Sequence, residues 1–185
     1  MNLNHYIYCL ESVEDVESQN ESLVLKSLES LALQYGLTNV YKTCDSIESF
    51  EESLSTLLYE DKNFKDYAII YLVVGGRENL ITIGNYNFTF EEIAELFEGK
   101  LKGKIIHFAN TFHLDLEEET FQYFLDVTGA KAISGYGNSV PIVSTILDNL
   151  YFSICEEEDN IVWVVEDLFE KQYVLSNSLG FRLYY

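Results

Sequence analysis

Apolar residues in this chain fall into short unbroken runs separated by stretches in which they recur every three or four positions. That alternation predicts strands joined by helical crossovers into a mainly parallel sheet. The run HYIYCL, residues 5–10, reads as the first strand. From Ser22 to Tyr35 the residues Val24, Leu28, Leu31, Ala32 and Tyr35 share one helical face, and Gly36 stands where a left-handed cap would end the helix. NVYKTC, residues 39–44, follows as a second strand. Ser46 then suits the start of a helix with the stripe Ile47, Phe50, Leu54, Leu57 and Leu58. YAIIYLVV, residues 67–74, shows no alternation at all, which is expected of a central strand covered on both faces.

Beyond Gly75 and Gly76, Ile81 and Ile83 alternate with polar neighbours and Gly84-Asn85 can supply a tight turn, so a small hairpin standing outside the main sheet is expected. Thr89 with Glu92 forms a capping box, and Phe88 with Ile93 a hydrophobic staple, predicting a short helix that stops at Gly99. KIIHFAN (104–110) reads as the fourth strand, and AKAISGYG (130–137) as the fifth. The acids from Asp115 to Glu119 precede the helix TFQYFLDV, where they face the positive end of its dipole. Pro141 suits the first turn of a helix running to about Cys155. Ile161, Val165, Leu168, Phe169 and Gln172 fit helical spacing, and GFRLYY ends the sequence as a last strand.

A length of 185 residues is most simply one domain, residues 1–185, able to bury roughly two thirds of its unfolded surface. The 31 acids against 11 bases give a net charge of -20, which repels phosphate backbones and anionic membrane surfaces. Nucleic-acid binding is therefore excluded, whereas a basic protein partner remains compatible. Cys9, Cys44 and Cys155 form neither a C-x-x-C pair nor an even set, which points to a reducing cytoplasm rather than to disulfides or zinc. With no long apolar run, the chain is expected to be soluble and to bind no membrane. No cofactor fingerprint is present: Gly75-Gly76 and Gly135-x-Gly137 match no phosphate-binding loop. His113, Asp115 and Glu117 read as the solvated approach to a helix, so no metal site is expected.

Reactive groups in open α/β sheets collect at the carboxyl ends of the strands. A cysteine hydrolase needs thiol and imidazole within hydrogen-bond reach there, because only the thiolate attacks. The two central strand ends carry Gly75 and Thr111 instead. One has no side chain, and the other has a hydroxyl that does not ionise near neutral pH without a base. Gly76, Asn110, Ser134 and Tyr136 are the residues expected to line the cleft beside them. His113 and Cys9 are the candidates for rescue, but neighbours as close along a loop as His113 and Thr111 rarely hold a productive geometry, and Cys9, whose strand should end near Gly75, reads first as a core residue; His107, inside the fourth strand, reads as a core histidine.

The wording YIYCLES, DYAIIYLVVGG, GKIIHFANTF, GAKAISGYGNSV and LGFRLYY resembles the caspase-like cysteine peptidase fold, and within it an uncharacterised bacterial group related to the CHAT proteases. The resemblance implies a three-layer α/β sandwich whose mostly parallel six-stranded sheet has an antiparallel last strand and helices on both faces. It places the catalytic base at Gly75 and the nucleophile at Thr111, both wrong for the chemistry. A degenerate, non-catalytic domain that binds a protein follows as the expectation, with a role in bacterial stress or phage defence implied by the resemblance alone. The alternatives are a hydrolase with relocated groups, using Cys9 or Thr111 with His113, and an acidic mimic of nucleic acid.

Overall fold

The computed structural model describes residues 6–17, 22–111, 113–138 and 141–185, the side chains of 141–143 excepted. Along the chain lie β1 (Tyr6–Ser12), α1 (Leu23–Tyr35), β2 (Asn39–Cys44), α2 (Ile47–Ser55), β3 (Tyr67–Arg77), β4 (Leu80–Ile83), β5 (Tyr86–Phe88) and α3 (Phe90–Leu96). They continue with β6 (Ile105–Thr111), α4 (Glu118–Thr128), β7 (Ala132–Tyr136), α5 (Pro141–Glu157), α6 (Ile161–Leu179) and β8 (Phe181–Tyr184). The sheet order is β2-β1-β3-β6-β7-β8. The first five of these are parallel, and β8 runs antiparallel to β7.

Successive residues of a strand face opposite sides, so each central strand feeds two cores. Ile70, Leu72, Val74, Ile106 and Phe108 pack beneath α2, α3 and α4 with Phe50, Phe90 and Phe124. Ile69, Tyr71, Val73 and Ala109 pack beneath α1, α5 and α6 with Leu28, Tyr151 and Leu168. This double coverage is why YAIIYLVV shows no polar alternation. It makes the molecule a three-layer α/β sandwich.

The helix boundaries follow local chemistry. Ser22 accepts from the Leu25 N–H and Gly36 closes α1 at φ 69°, although Tyr35, expected on the buried stripe, is 50% exposed. Ser46 and Ser49 cap α2 reciprocally, and Thr89 with Glu92 does the same for α3. α6 is helical from Ile161, but Gln172 breaks its regular geometry at φ -142° and ψ 54° rather than continuing the stripe.

The hairpin departs from expectation. β3 continues through Gly75 and Gly76 to Arg77, turns through Glu78 (φ 54°) and Asn79 (φ 64°), and pairs antiparallel with β4. Two consecutive positive φ values belong to the tight hairpin turn whose twist matches that of its strands. The β4–β5 hairpin is therefore an outgrowth of β3 and belongs to one eight-stranded sheet.

Candidate functional site

Gly76 and Thr111 are register partners on adjacent β3 and β6, which puts Gly75, the position implied for the base, one residue before the partner of Thr111. A bulge separates this pairing from the one before it, Val73 with Ala109: three residues advance on β3 against two on β6. Asn110 takes up the change with φ 63°. The outcome is that Thr111 is 0% exposed and its hydroxyl donates to the Val74 carbonyl at 3.3 Å. A side chain at this position points into the protein and not at the rim.

The two glycines are not equivalent. A Cβ at Gly76 would sit 2.3 Å from the Leu80 carbonyl oxygen and 2.9 Å from Thr111 Cγ2, so only glycine fits. At Gly75, which is exposed, a Cβ would meet the Thr82 oxygen at an ordinary 3.6 Å. Nothing steric excludes a side chain where the catalytic base is implied.

The candidate rescue groups are not brought together. His113 is exposed, has φ 52°, and is anchored by its backbone N–H to the Gly137 carbonyl at 2.6 Å, whereas Thr111 is buried and bonds backbone. Cys9 pairs with Tyr71, four residues before Gly75 along β3, and is fully buried. Burial first, then Glu11 and Asp148, hold its thiol well above the usual range. Burial and Asp45 push Cys44 up to about 11. Cys155 is pushed up to about 12 by burial, against opposing effects of Tyr151 and Lys131; the acids that follow it in sequence are not the cause. His5 lies outside the described residues. Leu114 and Leu116 are buried between exposed His113, Asp115 and Glu117. Among the described residues no three His, Cys, Asp or Glu side chains are grouped to hold a metal, and no helix is long and apolar enough to cross a membrane.

Ser134 and Tyr136 correct the cleft expectation. Both are 0% exposed and belong to a polar cluster sealed between the sheet and α5. His107 Nδ1 lies 2.8 Å from Ser134 Oγ, and its Nε2 lies 2.8 Å from Asp148 Oδ1. Tyr71 donates to Asp148 Oδ2 at 2.6 Å, and Tyr136 donates to Oδ1. Burial, followed by the Asp148 charge, keeps both phenols well above their usual range, so they stay donors. The residue types are those of a serine hydrolase triad, but His107, Ser134 and Asp148 are 0%, 0% and 1% exposed, leaving no path for a substrate. His107 is thus a satisfied core histidine, as its place in a buried strand suggests. Asp148 was not identifiable as its partner: it lies 41 residues away on α5, and the one available signal was a lone acid within the apolar run Ile146–Leu150.

The chain belongs to a family of unknown function, DUF6642, whose model matches residues 4–185. No curated protein matches. Among solved structures it is similar to the Drosophila initiator caspase Dronc, at 13% identity and a TM-score of 0.49, over 97% of this chain and 74% of that one.

Proposed function

We propose that this domain is a non-catalytic, caspase-like module that acts by binding another protein. The sequence wording and the sheet of five parallel strands closed by an antiparallel one support the caspase-like placement. One observation carries the non-catalytic reading: at the β3–β6 junction, Gly75 offers no side chain and the Thr111 hydroxyl is buried against the Val74 carbonyl. Loss of the nucleophile alone costs a triad enzyme on the order of 10⁶ in turnover, and here the base is missing as well. Three free cysteines fit a reducing compartment such as the cytoplasm. A net charge of -20 favours a basic partner.

The test is covalent labelling of the native protein with an iodoacetamide probe and with a peptidyl halomethylketone. No stoichiometric labelling is expected until the protein is unfolded. Full halomethylketone labelling of one residue in the folded state, with that selectivity lost on denaturation, would establish a relocated enzyme instead. A pull-down from the native host is expected to recover a partner that remains uncleaved.

A further inference from the structure

The β4–β5 hairpin, α2 and α3 enclose an open groove of about 410 Å³ that takes no part in the β3–β6 junction. Ile47, Phe88 and Leu96 supply apolar lining, Tyr86 an aromatic wall, and Glu51, Glu92 and Glu95 three carboxylates. No lysine or arginine lines it. Glu51 and Glu95 are exposed and make no ion pair with any described cation.

The aromatic wall is preset. Tyr86 is 41% exposed, its hydroxyl donates to Glu92 Oε1 at 2.6 Å, and its ring stands edge-on to Phe88 at 4.6 Å. Glu92 is itself fixed, because its other oxygen accepts from the Thr89 N–H at 2.8 Å. A ligand entering here meets an immobilised ring face beside a carboxylate that is already oriented, so little side-chain freedom remains to be lost. Cations are attracted to the faces of such rings, and an arginine fork matches carboxylates in two directions at once.

We propose that this groove docks an apolar segment of a partner protein carrying arginine or lysine. The apolar lining selects against a simple cation, and the three carboxylates without a counter-charge select against a neutral or acidic segment. This proposal rests on the binding-module reading and names the surface and the partner chemistry that the reading leaves open.

The probe is a fluorescein-labelled peptide of leucine and arginine at helical spacing, titrated into the full chain beside its citrulline counterpart and beside spermine. Expected are saturable binding of the arginine peptide, methyl and ring NMR shifts confined to Ile47, Tyr86, Phe88 and Leu96, and roughly tenfold weaker binding by the Glu51→Gln/Glu95→Gln variant. Glu92 is left intact because it caps α3. Binding that this variant leaves unchanged would reduce the effect to general attraction by an acidic protein and overturn the proposal. Equal shifts with spermine would make the groove a small-cation site, and equal binding of the citrulline peptide would remove the charge requirement; either result overturns the proposal as well. A native partner whose binding is indifferent to the double variant refutes the groove yet preserves the binding module, whereas covalent labelling of a folded-state residue refutes the module itself.

Discussion

His107 and Asp148, on β6 and α5, meet at 2.8 Å in a place that water does not reach. Asp148 accepts from His107, Tyr71 and Tyr136 together, so a strand, its neighbours on either side and a covering helix converge on one carboxylate. Burying such a group is costly unless its oxygens are hydrogen-bonded, and here both are.

Asp148→Ala strands an imidazole and two phenols in the core and is expected to destabilise the fold by about 3–5 kcal/mol, read from the urea midpoint. Tyr71→Phe and Tyr136→Phe each remove one donor to a charged acceptor, at about 1.5–3 kcal/mol. Because the two share Asp148, their effects will not add. A wild-type midpoint in all three variants would show that the cluster contributes nothing.

Gly75 and Gly76 are expected to respond in opposite ways to a side chain. Gly76→Ala forces a methyl group onto the Leu80 carbonyl and is expected to cost about 3 kcal/mol or more. Gly75→Ala finds room and leaves the melting temperature nearly unchanged. Even Gly75→His combined with Thr111→Cys is expected to gain no amidase activity, because the introduced thiol is buried as the Thr111 hydroxyl is. Recovered turnover would show that the rim opens.

Glu92 couples the hairpin and α3 to pH. Its carboxyl is held below the ordinary value of 4.5 by the Tyr86 phenol first and the Thr89 N–H next. The native state therefore binds fewer protons than the unfolded chain between that lowered value and 4.5. Its contribution is complete above 4.5 and is lost as pH falls through the lowered value. Glu92→Gln is expected to flatten that part of the acid limb in a series of denaturant midpoints, and an NMR titration of Glu92 itself checks the direction.

Lys104 is 7% exposed and donates through Nζ to the carbonyls of Phe64 at 2.9 Å and Tyr67 at 2.5 Å, fastening the turn that enters β3. Lys104→Met leaves these acceptors without their charged donor and is expected to cost about 1.5–3 kcal/mol. Burial lowers the Lys104 pKa below 10.5, so the unfolded chain holds the proton longer and stability gains from this group as pH rises between the two values. Loss of that alkaline gain in the variant, measured by chemical denaturation, is the second readout.

The order of strands and helices, the serine and threonine caps, the glycine stop at Gly36 and the double-sided burial of β3 were all legible in the sequence. Each is set by residues within a turn or two of one another, through periodicity, capping bonds or positive φ. What a residue at a strand end faces is decided differently. The bulge at Val74–Gly75, the left-handed Asn110 and the extension of β3 into the hairpin turned Thr111 inward. Ser134 and Tyr136, read as rim residues, proved to be held beneath the sheet by His107 and Asp148. A strand's faces are assigned by its register with neighbours, and a buried charge by a partner far along the chain, so only the assembled sheet and helices could settle where these side chains point.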